Sequence, residues 1–480
     1  MSLASLLRWQ KKCASEGGCA RRHGFFNNCH NEASVKLLRL AASVSVFALL
    51  VGCDVPDTNE PVKVITEEQQ ELAQKRVDED AVEEVPEFES PWDAFVNEFI
   101  EDHLAAHPAF AVMQGRHEYD GILPDWSKAG IDREIARLKQ AREDALDFTE
   151  EELGEEGAWQ REYVLAVLDR NLFWLEKAEW PYRNPAFYFD WMSDGLEPSP
   201  YITLDYAPLA ERLEAYTRFA GSIPRAAAQI RENLRMPMAR TVLEYGIASF
   251  GGFVDYFHDD VPGVFAAVDD AVAQAAFAEA NAAAIEAMAQ LRDWLIANRE
   301  SATEDYALGP ELFRQMLYDA ERVDISLEEL EAIGRADLER NQRALAEACT
   351  EFAPGETIQS CFSKMANRKP EGSSVEAARR QLDETKAFLI EQDLVSIPGT
   401  EEALVAESPP YARSNFAYIN IPGPFEKNQP SVYYISPPDP SWSDEVQRAY
   451  IAGESDLLFT SVHEVWPGHF LNFLHANRAD

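Results

Sequence analysis

From Pro91 onward an apolar residue returns at every third or fourth position, and this spacing restricts the possible folds more than any other feature of the chain. Trp92, Phe95, Phe99, Ile100 and Leu104 fall on one helical face, as do Ile131, Ile135, Leu138 and Ala141, and again Leu209, Leu213, Tyr216 and Phe219. Ala266 to Ala297 interleaves Ala, Leu and Met with Asp and Glu, which predicts a long helix of high intrinsic propensity. Ser326 with Glu329 three residues on predicts the start of another helix, running to Cys349. The pattern changes between Pro409 and Pro440. There Phe416 to Ile421 and Val432 to Ile435 are β-prone and separated by Pro422-Gly423-Pro424, so a small hairpin is expected. A final helix, expected from Ser443 or Asp444, carries Val446, Tyr450, Leu457, Leu458 and Val462 and runs into His463. The fold class that follows is mainly α, with a small β hairpin ahead of the last helix.

The amino-terminal part reads differently. Lys36 and Arg39 precede an uncharged apolar stretch from Leu40 to Gly52, too short to span a bilayer comfortably and proportioned like a signal-peptide core. Leu50-Val51-Gly52-Cys53 resembles the bacterial lipobox, in which the cysteine carries the lipid, so residues 1–52 are expected to be leader and signal peptide and Cys53 a lipid anchor. Residues 53–90 are acidic, Pro-punctuated and poor in aromatics, as a solvated tether would be. These features place the protein at the bacterial cell envelope, facing the periplasm. In that oxidising setting Cys349 and Cys361, separated by a short segment containing Pro354-Gly355, are candidates for a disulfide. The formal net charge of -41 repels phosphate backbones, which argues against nucleic acid as a partner.

The chemistry concentrates in His463-Glu464-Val465-Trp466-Pro467-Gly468-His469. Two neutral imidazoles can hold a metal ion, and a neighbouring carboxylate can take a proton from water. The spacing differs from the common arrangement with histidines at i and i+4, because Pro467 stands at i+4 and the second histidine at i+6. Six residues of regular helix turn about 600°, leaving the two imidazoles about 120° apart. Pro467 must therefore end or kink the helix, and Gly468 is expected to supply the backbone freedom that swings His469 back.

This segment resembles the HExxPGH signature of the bacterial family known as domain of unknown function 885. Phe95 to Trp126, with Gly115-Arg116-His117 and Tyr119-Asp120-Gly121, is similar to that family's amino-terminal region, and Tyr433 to Asp439 is similar to the segment before its motif. The resemblance covers about residues 91–480 and implies a large helical, gluzincin-like body with metallopeptidase character. It implies His463 and His469 as ligands of one zinc ion and Glu464 as general base. It also implies a third ligand in a downstream Glu-Gly-Trp-Ala segment, which is not reached by Asp480, so the sequence is expected to be truncated at that end.

Tyr418, Tyr433 and Tyr434 are further candidates, for stabilising an oxyanion or contacting substrate, with core packing as the competing reading. His117 is a candidate for lining the cleft. His103 and His107, one helical turn apart, more often mark a helix surface than a metal site. Gly-rich phosphate loops, Cys-x-x-Cys pairs and Gly-x-Ser-x-Gly elbows are lacking, so nucleotide, redox and serine-hydrolase chemistry has no support. The expected function is a membrane-anchored zinc peptidase acting on peptide substrates. The alternatives are a non-catalytic peptide-binding lipoprotein and a metal-dependent hydrolase of a non-peptide amide or ester.

Overall fold

The computed structural model describes residues 90–189, 195–408, 413, 415–427 and 429–478. The leader, Cys53 and the tether lie outside the described residues except for Ser90. That serine caps the first helix, its hydroxyl accepting the Asp93 N–H at 3.1 Å.

The longer helices are α1 (Pro91–Ala106), α2 (Lys128–Asp147), α3 (Glu150–Leu172), α4 (Leu209–Asn233), α5 (Arg240–Asp259), α6 (Ala271–Ala297), α7 (Pro310–Glu321), α8 (Leu327–Phe352), α9 (Ile358–Asn367) and α10 (Ser374–Glu391). The protein is mainly α, as the periodicity predicts. Several starts have a local cause. Ser326 accepts the Glu329 N–H at 3.1 Å and opens α8 at the expected place. Helix α6 begins at Ala271 rather than Ala266 because the Asp270 carboxylate accepts the N–H groups of Val272 and Ala273, ending the preceding turn. Helices α3 and α10 open on reciprocal capping boxes, Thr149 with Glu152 and Ser373 with Glu376.

Of the four clusters of buried residues among the described residues, two concern the site most. In the larger, α6 packs between α4 and α5, bringing Tyr216, Phe219 and Ile230 against Phe250, Phe257, Phe277, Met288 and Leu295. The alanines of α6 let its neighbours approach closely. The polar Asn281 in its centre is satisfied, accepting from the Tyr216 hydroxyl and donating to the Phe257 carbonyl, each at 2.7 Å. The second core holds Leu382, Leu389, Tyr433, Ile435, Leu457, Trp466, Phe470 and Leu474, and joins α10 to a small sheet and the last helices.

That sheet has three strands in the order β1-β3-β2: β1 (Leu404–Glu407), β2 (Ala417–Asn420) and β3 (Val432–Ile435). The expected pair is present, with β2 antiparallel to β3 in the register Tyr418 opposite Tyr434 and Ile419 opposite Tyr433. Strand β1 was not expected; it lies parallel on the other side of β3. All four residues of β3 are buried, as befits a central strand.

The expected single terminal helix is instead three: α11 (Asp444–Tyr450), α12 (Glu454–Glu464) and α13 (His469–Ala476). Between α11 and α12 the chain dips to meet the end of α9. Glu454 N–H donates to the Arg368 carbonyl at 2.7 Å, and a Cβ on Gly453 would stand 2.7 Å from the Met365 carbonyl oxygen. A straight helix there would hold its chain away from α9. Cys349 near the end of α8 and Cys361 in α9 form a disulfide, their Cα atoms 5.7 Å apart. No described helix is long and apolar enough to cross a membrane.

Candidate metal centre

Helix α12 presents His463 and Glu464 in its last turn. Val465 then leaves helical geometry, a cis peptide joins Trp466 to Pro467, and Gly468 starts α13. The bend is held from inside by Val465 and Trp466, both fully buried. Trp466 packs edge-on against Phe470 at 5.1 Å and lies beneath the Lys386 ammonium, 5.0 Å from its ring. Gly468 lies outside the helical and extended regions, with φ -71° and ψ -144°, and a Cβ there would stand 1.7 Å from the His463 carbonyl oxygen, so it allows α13 to start directly against the end of α12.

The result is convergence. His463 Nε2 and His469 Nε2 lie 3.2 Å apart, with the rings nearly perpendicular. Two nitrogens bound to a tetrahedral zinc at about 2.0–2.1 Å would be separated by about 3.3 Å, so the pair fits such an ion. Burial and the neighbouring His463 lower the His469 pKa, which favours the neutral imidazole that ligation requires.

Glu464 stands beside them with one carboxylate oxygen accepting the Ile419 N–H at 3.2 Å. Burial raises its pKa, while charge on His463 and the Ile419 N–H act in the opposite direction. Phe416 accepts from Ser436 N–H at 2.8 Å, and with the period-2 alternation of the strand this turns the Ile419 amide away from β3. The outer edge of β2 therefore runs beside the motif helix and orients its carboxylate. Nothing in the local sequence of β2 signals this contact.

The three tyrosines separate by strand face. Tyr433 points at α12, fully buried, its hydroxyl 3.5 Å from Ser461 Oγ, which also meets Gln381 Oε1 at 3.2 Å; burial pushes its pKa up. Tyr418 and Tyr434 lie on the opposite face with ring centroids 5.3 Å apart, and burial raises both. Tyr433 is thus the tyrosine on the motif side, set in the core.

His117 lies elsewhere. Its Nδ1 meets Asp120 Oδ1 and its Nε2 meets Glu426 Oε1, each at 3.0 Å, and its ring stacks on Tyr206 at 3.5 Å. Both ring nitrogens are engaged, which leaves neither for a substrate. His475 meets the Ser396 carbonyl at 2.8 Å. Among the described residues, the one group of three possible ligands within reach of a single ion is His103, His107 and Glu134. Arg137 fills that cluster, donating to both oxygens of Glu134 at 2.7 Å and lying 3.3 Å from His103 Nδ1, so a cation is already present. The His463 and His469 pair accordingly has no third histidine, cysteine or carboxylate ligand among the described residues.

A mainly helical body carrying a proline-broken His-Glu motif beside a small sheet defines the class. The chain belongs to the family of bacterial proteins of unknown function called domain of unknown function 885, whose model matches residues 108–480. In fold it is similar to a "putative lipoprotein of unknown function" from Shewanella oneidensis, with a TM-score of 0.62 and 21% identity over 79% of this chain and 71% of that one. It is also similar to a "putative lipoprotein" from Colwellia psychrerythraea, with a TM-score of 0.59 and 12% identity over 78% and 71%. No curated protein matches the chain.

Proposed function

We propose that this protein is a zinc-dependent peptidase of the bacterial cell envelope, anchored through Cys53 and facing the periplasm. The observation that carries this reading is the 3.2 Å approach of His463 Nε2 to His469 Nε2 with Glu464 alongside, oriented by the edge of β2. The envelope setting is supported by the lipobox-like Leu50 to Cys53 and by the likeness in fold to two proteins described as lipoproteins.

His463 and His469 would hold the ion as two of its ligands. A bound zinc supplies Lewis acidity and lowers the pKa of water towards about 7. Glu464 accepts the proton of the attacking water and returns it to the departing amine. Its partly buried setting favours the protonated form, and the Ile419 N–H keeps one oxygen aimed. The outer edge of β2, beside Glu464, offers further backbone groups with which an extended peptide would pair.

Zinc content and peptide hydrolysis of the full-length protein test the reading together. About one zinc per molecule is expected, lost in His463→Ala and retained in Glu464→Gln, in which kcat falls about 10²- to 10⁴-fold. A protein that binds no zinc, or whose peptide binding ignores chelators and leads to no cleavage, would overturn it.

A further inference from the structure

The loop between β2 and β3 is fastened to a distant part of the chain. Phe425 N–H donates to the Gln114 carbonyl at 2.9 Å, and the Arg116 guanidinium lies 5.3 Å over the Phe425 ring. The two backbones touch at paired glycines. A Cβ on Gly115, whose φ is +92°, would stand 2.4 Å from Glu426 N, and one on Gly423 would stand 2.4 Å from the Gln114 carbonyl carbon. At the centre is His117, held between Asp120 of its own segment and Glu426 of the loop.

Both carboxylates are nearly enclosed, with side-chain exposures of 9% and 2%. A neutral imidazole has one N–H and cannot donate to both. Only the imidazolium satisfies the two acceptors, and a second donor, the Tyr206 hydroxyl, takes Asp120 Oδ2 at 2.8 Å while its ring stacks on His117. The other charged groups nearby are engaged: Arg116 pairs with Glu101 and Glu118, and Arg218 donates to the Asp120 carbonyl.

We propose that His117 is a positioning residue, an ionic latch that fixes the β2–β3 loop and thereby sets where β2 presents the Ile419 N–H to Glu464. The latch stands on geometry alone; its effect on hydrolysis rests on the peptidase reading above. Burial opposes the charge on His117, but the hydrogen bonds to Asp120 and Glu426 prevail and raise its pKa to about 9. With an unfolded value of about 6.5, the latch contributes fully below about pH 6.5 and is lost as the pH rises through about 9.

Hydrogen exchange of the full chain tests this. In His117→Gln, which keeps a polar side chain but cannot serve both acceptors as a cation, the amides of 417–420 are expected to exchange at least tenfold faster at pH 7. Exchange within Arg240–Asp259 is expected to stay unchanged. In the unsubstituted protein, protection at 417–420, corrected for intrinsic rate, is expected to step down near pH 9, and His117→Gln is expected to show no step. Glu426→Ala removes the same bond from the other side and serves if His117→Gln does not fold. Equal exchange at 417–420 in variant and parent, or acceleration spread equally through Arg240–Asp259, would overturn the latch. Zinc content is expected to be unchanged in both variants while kcat drops at least tenfold. A parent protein without hydrolytic activity defeats the peptidase reading and leaves the exchange result to decide the latch.

Discussion

A methyl group at position 468 would fall inside the contact radius of the His463 carbonyl, so the approach of the two imidazoles depends on hydrogen at that α-carbon. Gly468→Ala is expected to weaken zinc binding at least tenfold and to cost about 1–3 kcal/mol of stability, read by metal titration and thermal melting. Tyr433 makes a contrasting case. Its ring fills the core and its hydroxyl meets that of Ser461 at 3.5 Å, while Glu464 acts on it through charge alone among the described residues. Tyr433→Phe is therefore expected to leave hydrolysis intact and change stability by less than about 1 kcal/mol, whereas Tyr433→Ala costs about 3–5 kcal/mol. A large loss of kcat in Tyr433→Phe would instead assign the hydroxyl to catalysis. The approach of His463 to His469 was legible because a proline and a glycine stand between them. The carbonyl that Gly468 makes room for was not, since a sequence shows that a residue lacks a side chain but not what lies beside it. His117 was legible as a landmark, while its partner Glu426 stands in an unremarkable loop.

Helix starts follow from local rules, and Ser326 demonstrates this. Its cap closes within four residues, so Ser326→Ala is expected to cost about 1 kcal/mol in a chemical denaturation series. The elements that sequence reading misplaced are those decided by distant neighbours. The run into the motif looks continuous because its apolar spacing is helical, yet Gly453 interrupts it where α9 abuts. Strand β1 is four residues long and gains its identity only by pairing with β3. The Cys349–Cys361 pair, at a sequence separation of 12, closes the short segment that joins α8 to α9. Removing it with paired serines is expected to lower stability by about 2–3 kcal/mol, and reductant is expected to lower the melting temperature of the parent but not of the variant.

At the scale of the whole molecule, a formal charge of -41 sets like charges against one another over the entire surface. Added salt shortens the range of that repulsion to about 10 Å at 0.1 M. The melting temperature is expected to rise as sodium chloride is increased from about 10 mM to about 0.5 M, and a flat response would show that the charges are already compensated locally. The helical class and the two-part character of the second core, sheet plus broken motif, could be anticipated from periodicity and proline placement. How the first helices meet the sheet could not, because neither segment advertises the other.

The contact between His117 and Glu426 joins positions 309 residues apart in the chain. Closing so long a loop is slow compared with forming the helices inside it. During vectorial synthesis the segment around Gln114 emerges early and has to wait, its glycine-flanked backbone groups hydrated, until almost everything described here has been made. The alignment of β2 with Glu464 is consequently among the last features to mature. A partly translated chain carries its helices but an unfastened β2–β3 loop, because Glu426 has yet to reach the segment around Gln114.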